Sequence, residues 1–166
     1  MSALFHSYLC GRKATEWLIN MQDIYKLVTR FRTAIDEAKE NREFIQDFRF
    51  CNFPQGCCDD TCDLLAKYLH EHGIRTTQAS GIYCDGNPEN NTNHAWLLLD
   101  NITVIDITGD QFKWDDIFLR NNNPIYIGSE NNFYHLFEDI RVYENFDVNS
   151  QPRLHGLYQK IKEYIR

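Results

Sequence analysis

The apolar residues of the first third of the chain recur at helical spacing. Between residues 15 and 48 they fall mainly three or four positions apart, and this segment contains no glycine or proline. That spacing collects apolar side chains on one face of a helix. It predicts one long helix or two medium helices, within a helical part of the chain that covers about residues 1–52.

A turn and a second helix follow this region. Pro54 and Gly56 lie two positions apart, which is typical of a turn. A helix is predicted from 58 to about 72, and Gly73 is suited to its C-terminal end. One face of this helix carries an apolar stripe, formed by Cys58, Cys62, Leu65 and Leu69.

The pattern changes to extended segments after the second helix. Residues 74–83 contain several Thr, Ile and Tyr residues and are predicted to be extended, while residues 85–93 form a polar loop. Residues 94–99 and 102–107 are predicted to be two strands joined by a hairpin turn. Because both strands are hydrophobic along almost their whole length, we expect them to be covered on both faces.

The remaining pattern completes one domain of the α+β class. A short strand is predicted at 124–128 and a terminal helix at about 153–165. The strands follow the helices rather than alternating with them, which is typical of an α+β fold. The length of 166 residues fits a single domain, with its core at about 53–130.

Composition narrows the classes of function. The net charge is −7, whereas domains that bind nucleic acid through its phosphates are usually basic. Nucleic acid and anionic membranes are therefore not expected as partners. No stretch approaches the roughly 20 apolar residues that a membrane span needs, and we see no secretory signal. We expect a cytoplasmic protein, and hence no disulfides.

Six cysteines are present, four of them between Cys51 and Cys62. Such a cluster in a reducing compartment indicates a metal site, a reactive thiol or ordinary core packing. A zinc site usually has a second pair of ligands at similar spacing, and Cys58 and Cys62 have none. We interpret Cys62 as a core residue, and Cys10, Cys51 and Cys84 as structural.

Three residues, taken in chain order, suggest thiol chemistry. Cys58 starts a helix, His94 starts a strand and Asp106 lies in the next strand. A helix N-terminus and an imidazolium both lower the pKa of a cysteine, and the first N–H groups of the helix can stabilise an oxyanion. A histidine then acts as general base and acid, and an aspartate orients its ring. These three residues are the candidate catalytic residues.

Neighbouring residues leave alternatives open. Cys57 is expected in the loop and stays a second candidate nucleophile. Asp59 and Asp60 would raise the pKa of the thiol if they faced it, but helical geometry should turn both away. Asp110 is the alternative residue for orienting the histidine, and Gln111 is a candidate for lining the site.

The strand register tests this arrangement. If only two residues formed the hairpin turn, Asp106 would lie opposite Ala95 and on the other face from His94. A three-residue loop, or one bulge, shifts the register and brings His94, Trp96 and Asp106 to one face. The hypothesis of a Cys-His-Asp triad therefore predicts an odd loop or a bulge.

These segments also resemble a known group of proteins, the bacterial papain-like and transglutaminase-like cysteine hydrolases. The similar region covers about residues 53–112. It contains Phe-Pro-Gln-Gly-Cys-Cys-Asp-Asp-Thr-Cys-Asp-Leu-Leu at 53–65, His-Ala-Trp-Leu at 94–97 and Asp-Ile-Thr-Gly-Asp-Gln-Phe at 106–112. The resemblance implies that Cys58 is the nucleophile, His94 the base and Asp106 the residue that orients the base.

The same resemblance implies a fold and an activity. The fold would be papain-like α+β, with an antiparallel sheet packed on the cysteine-bearing helix. The activity would be peptide cleavage, glutamine deamidation or transglutamination on a protein or peptide substrate, without a cofactor or metal. Some related domains act as toxins or effectors, so delivery to a target cell is a further role that the resemblance implies.

Two positions depart from the pattern of that group. Asp59 stands where a small residue is expected, and Cys62 stands where a serine is expected. These departures motivate a second hypothesis, a binding module that keeps the papain-like scaffold without turnover. A zinc-stabilised interaction domain is the third hypothesis, and it predicts stoichiometric zinc.

Overall fold

The computed structural model describes residues 20–114 and 123–166. Its helices are α1 (Met21–Glu40), α2 (Cys58–Glu71) and α3 (Pro152–Lys162). Its strands are β1 (Thr76–Tyr83), β2 (Thr92–Leu99), β3 (Thr103–Asp106), β4 (Tyr126–Gly128) and β5 (Phe137–Glu144). The predicted α+β class is confirmed, and the predicted C-terminal helix and first four strands are present with small shifts at their ends.

The five strands form one antiparallel sheet in the order β4-β3-β2-β1-β5. Successive side chains of a strand point to opposite faces of a sheet. One face, the helical face, packs against α1, α2 and α3 through an aliphatic core that includes Val28, Ile35, Leu65, Leu97, Ile105 and Leu157. The other, the aromatic face, is covered by Tyr83, Trp96, Leu98, Phe112, Phe133, Tyr134 and Phe137.

The first helix is shorter than its sequence pattern predicts. Soon after it ends, Arg42 adopts a left-handed φ of 63°, which interrupts helical geometry. Ile45 and Phe48 are 68% and 70% exposed whereas Phe44 and Phe50 are buried, so the later apolar residues do not lie on one face of a continuous helix. The prediction of helix is therefore wrong for residues 41–48, while residues 15–19 lie outside the described residues.

The turn before α2 places Cys58 at the first position of that helix, as predicted. The peptide bond before Pro54 is cis, and Gly56 has a φ of 69°, a conformation that favours glycine. Gly73 has a φ of 79° just after the end of α2, as expected of a glycine that terminates a helix. The local sequence therefore fixes both ends of the cysteine-bearing helix.

The hairpin between β2 and β3 has the odd loop that the triad hypothesis predicts. Leu99 pairs with Thr103, which leaves three residues in the loop, and two of them have left-handed φ values of 53° and 58°. Continuing this register brings His94 and Asp106 to the aromatic face as diagonal neighbours. This structural prediction is confirmed.

The sequence pattern did not reveal β5. This strand pairs with β1 at the outer edge of the sheet, and only its first residue, Phe137, is buried. Gly81 of β1 allows the close approach, because a Cβ atom there would lie 3.1 Å from the carbonyl oxygen of Glu138. Among the described helices, none is long and apolar enough to cross a membrane.

Candidate active site

Cys58 is the first residue of α2, and its thiol lies close enough to His94 to raise the pKa of that imidazole. Cys58 is only 8% exposed. The first N–H groups of a helix have no partner within the helix, and the helix dipole favours negative charge near them. The start of α2 can therefore stabilise both a thiolate and an oxyanion beside the sulfur.

His94 and Asp106 form a buried pair on the aromatic face. Nε2 of His94 donates to Oδ2 of Asp106 at 2.7 Å, and both side chains are almost completely buried. The carboxylate accepts three further bonds, from the backbone N–H and the hydroxyl of Thr108 at 2.8 and 3.3 Å and from the hydroxyl of Tyr134 at 3.0 Å. The carboxylate is thus held in place by partners on three segments of the chain.

Burial and pairing act in opposite directions on these two groups. Burial lowers the pKa of His94. The interactions with Asp106, and then with Cys58, raise it by more than burial lowers it, and the resulting pKa is about 10. Burial raises the pKa of Asp106, but His94, Thr108 and Tyr134 lower it, and its pKa falls below the usual range. The pair is therefore an imidazolium and a carboxylate at neutral pH.

The site lies beside a gap between β2 and β3 that connects the two faces of the sheet. The pairing of β2 with β3 ends at Leu97 and Ile105, so the strands separate beside the histidine. Cys58 belongs to the core of the helical face, whereas His94 and Asp106 project on the other face. The thiol and the imidazole meet at this opening.

Gln111 also contacts the histidine. Its Nε2 atom lies against Nδ1 of His94, and Gln111 is only 7% exposed. The amide nitrogen of Gln111 can donate to Nδ1 only when Nδ1 carries no proton. When Nδ1 is protonated, it donates to the amide oxygen instead. A half-turn of the carboxamide supplies either atom, so Gln111 can bond with both protonation states of His94.

The two cysteines nearest to Cys58 have a different environment. Burial raises the pKa of the Cys57 thiol to about 12, and its Sγ donates to the carbonyl oxygen of Pro54 at 3.5 Å. Burial, followed by the charges of Cys58 and Asp106, raises the pKa of Cys62 well above its usual range. Both thiols stay protonated, which does not fit an activated nucleophile.

The acidic residues near the site have other partners. Asp60 accepts a bond from Arg153 at 2.5 Å, and Asp59 accepts one from Gln78 at 3.2 Å, so both turn away from the thiol as expected. Asp110 is held by Arg32 through bonds of 2.8 and 3.0 Å. Asp106, not Asp110, is therefore the carboxylate that orients the histidine.

No relative emerged from the comparisons with known proteins. The chain matches no protein-family model, no curated protein and no solved structure. The interpretation of the site therefore depends on the geometry of its own side chains.

Sequence reasoning missed the residues that cover the pair. The ring centroids of Phe112 and Phe137 lie 5.1 and 5.7 Å from that of His94, and Tyr134 bonds directly to Asp106. No local motif marks Tyr134 or Phe137, because both reach the site from a distant part of the chain. Trp96 is fully buried in the same cluster, as expected of a core residue.

The described residues offer no alternative centre based on a metal. Within residues 20–114 and 123–166, no group of three or more His, Cys, Asp or Glu side chains is placed to hold a metal ion. Cys51, Cys57, Cys58, Cys62 and Cys84 are all free thiols. Cys10 lies outside the described residues.

Proposed function

We propose that this protein is a thiol-dependent amide hydrolase or acyltransferase with a papain-like or transglutaminase-like core. The observation that carries the proposal is the placement of Cys58 beside the hydrogen-bonded pair of His94 and Asp106. A cysteine at a helix N-terminus, an imidazole and a buried carboxylate are the parts that thiol catalysis requires. The packing of α2 on an antiparallel sheet supports the proposed fold.

The first half of the reaction forms a thioester. The sulfur of Cys58, whose proton has passed to Nδ1 of the His94 imidazolium, attacks the carbonyl carbon of an amide in a protein or peptide as a thiolate. The first N–H groups of α2 stabilise the oxyanion. The C–N bond then breaks, the leaving amine takes the proton from Nδ1, and the acyl group stays on the sulfur.

The second half releases the acyl group. Water, or an amine in the case of transfer, gives a proton to Nδ1 and attacks the thioester carbon. The C–S bond breaks, the proton stays on Nδ1 beside the regenerated thiolate, and the carboxylic acid or the new amide leaves. Asp106 remains ionised and keeps Nε2 of His94 in place throughout.

Site-resolved alkylation tests this proposal. The folded protein is treated with iodoacetamide from pH 5 to 9, and each cysteine is quantified by peptide mass spectrometry. We expect Cys58 to react below pH 7, and to react about 100-fold more slowly in His94→Ala. His70→Ala is the matched control, because His70 is exposed and remote from the thiol.

The alternatives give different results. Because His94→Ala leaves Asp106 buried without its partner, Asp106→Asn is tested beside it, and circular dichroism checks the fold of each variant. Equal and slow alkylation of Cys58 in the parent and both variants would contradict the proposal and favour the binding-module hypothesis. If Cys57 or Cys62 were alkylated faster than Cys58, that cysteine would be assigned as the nucleophile instead.

A further inference from the structure

Nδ1 of His94 is the ring nitrogen through which protons must pass. Nε2 is bonded to Asp106, so proton transfer to and from the thiol uses Nδ1. Cys58 lies close enough to His94 to raise the pKa of the ring, and the carboxamide of Gln111 lies against Nδ1 itself. The second contact has no role in the reaction as described above.

The carboxamide of Gln111 lies where the leaving nitrogen of a substrate amide would have to lie. In the proposed reaction, the amide nitrogen of the substrate has to come within hydrogen-bond reach of Nδ1 to take its proton. The carboxamide of Gln111 already lies there, and it is itself an amide, whichever of its two polar atoms faces Nδ1. The side chain therefore fills the leaving-group position with a group of the same chemistry.

The surrounding surface shows how a substrate would reach this position. A cavity of about 420 Å³ lies beside Gln111, and it is lined by Gln55, Asn90, Thr92, Phe112 and Trp114 among others. Cys58 and His94 are almost closed to solvent, so a molecule entering from this cavity meets Gln111 first. The lining is mostly polar and uncharged, which suits an amide.

The backbone of Gln111 is held while its side chain can turn. The carbonyl oxygen of Gln111 accepts a bond from Nε2 of Gln55 at 3.1 Å, and its N–H donates to the carbonyl oxygen of Thr108 at 3.1 Å. These bonds fix the main chain of Gln111 at the edge of the site. Rotation about its side-chain bonds is enough to clear Nδ1.

We propose that Gln111 is a positioning residue that occupies the leaving-group subsite in the resting protein. Its carboxamide aligns the His94 ring and covers the Cys58 thiol until a substrate amide replaces it. This inference rests on the proposed function, because only a thiol reaction at Cys58 gives the subsite a leaving group. It adds a residue to the triad and defines the side from which the substrate enters.

Two variants of Gln111 test the inference by their opposite effects on Cys58. Gln111→Ala empties the position, and we expect the rate of Cys58 alkylation by iodoacetamide at pH 7 to rise about 10-fold. Gln111→Glu places a carboxylate beside the thiol, which raises the pKa of a thiol. In that variant we expect slower alkylation than in the parent, with its midpoint at higher pH.

Cys62 in the same sample is the internal control. Loosening of the fold would speed the alkylation of Cys62 together with Cys58, and that result would overturn the inference. Equal Cys58 rates in the parent and Gln111→Ala would also overturn it, while a rate that still depends on His94 would leave the proposed function in place. A Cys58 rate that is independent of His94 in every variant would overturn both.

Discussion

The helical face and the aromatic face of the sheet differ in their side chains and in what they hold. The core of the helical face is mainly aliphatic and joins three helices to the sheet, although it also contains Phe31, Phe44, Phe50, Phe53, Tyr68 and Tyr158. The aromatic face has six buried rings and covers the His94–Asp106 pair. This difference indicates a division of roles, in which the helical face supplies most of the stability and the aromatic face sets the electrostatics of the site.

Aromatic rings suit the second role better than aliphatic side chains. Phe112, Phe137 and Trp96 have ring centroids 5.1, 5.7 and 5.9 Å from that of His94. They exclude water, which strengthens the attraction between imidazolium and carboxylate. The face of an aromatic ring also attracts a cation, which an aliphatic side chain does not do.

The largest expected effect tests the helical face. Leu65 is fully buried there, and Leu65→Ala should lower the free energy of unfolding by about 3 kcal/mol. Leu98→Ala, a matched change on the aromatic face where Leu98 is 7% exposed, should cost about 2 kcal/mol. Urea denaturation measures both changes in the free energy of unfolding. A shift in the pH dependence of Cys58 alkylation in Leu65→Ala would contradict the proposed division of roles.

The second effect concerns the charge pair and pH. The pKa of His94 is raised in the folded protein, so its stabilisation is complete below the unfolded value of about 6.5 and is lost as pH rises toward the folded value. The lowered pKa of Asp106 gives stabilisation that is present above about pH 4 and is lost as pH falls. The free energy of unfolding should therefore decrease above pH 6.5, by on the order of 2 kcal/mol.

Urea denaturation at a series of pH values checks this slope. Asp106→Asn is the control, because it removes the charge that raises the pKa of His94, and its curve should be nearly flat between pH 6.5 and 8.5. The buried thiols of Cys57 and Cys62 affect both proteins alike at higher pH, so the difference between the curves isolates the pair. Parallel curves would contradict the assignment of the charges.

A smaller effect is expected from a single hydroxyl on the aromatic face. Tyr134 donates to Asp106 at 3.0 Å, and Tyr134→Phe removes that bond while keeping the ring. Because the acceptor is charged, the loss should be about 1.5 kcal/mol of unfolding free energy, and the pKa of Asp106 should rise. Tyr126→Phe is a control in a ring that packs on Tyr134, and NMR titration of His94 would detect a change specific to Tyr134.

The smallest effect has the opposite sign and lies beside α2. Burial, with Asp59 and Asp60, raises the pKa of Asp63 to about 6, although the N–H of Phe146 lowers it. Stability is therefore lost as pH rises from about 4 through 6. Since Asp63 is partly exposed, Asp63→Asn should stabilise the protein by only about 0.5 kcal/mol at pH 7 and by nothing at pH 4.

Thermal denaturation at these two pH values measures the effect. The asparagine keeps the oxygen that accepts from Phe146 at 2.8 Å, so the change removes charge without removing that bond. A loss of stability at pH 7 would show that the carboxylate is favourable, against its raised pKa.

Features that depend on neighbouring residues could be predicted from the sequence. The turn before Cys58 and the start of α2 follow from short segments whose geometry is fixed locally, whereas the odd loop of the hairpin was expected because the triad hypothesis requires it. The hairpin register was predictable because the alternation of side chains leaves only two choices, and only one of them puts His94 beside Asp106.

Features that depend on distant contacts could not be predicted. The strand β5 pairs at the edge of the sheet and exposes most of its side chains, so it shows no buried alternation. Tyr134 enters the site through a contact that no spacing reveals, whereas Gln111 was already a candidate for lining the site. Arg32 binds Asp110 across 78 positions of the chain. The sequence alone could not show that Asp110 pairs with this arginine rather than with His94.

The candidate site depends on the loop between β2 and β3 having an odd number of residues. The two strands are hydrophobic on both faces, so a shift by one residue would still bury apolar side chains. Loss of a single codon from this loop would therefore leave a plausible sheet but move Asp106 to the helical face, away from His94. An in-frame deletion that preserves the apolar pattern would erase the chemistry and leave the Asp106 carboxylate buried without its partner, so the odd count of residues after Leu99 is as much a part of the site as Cys58.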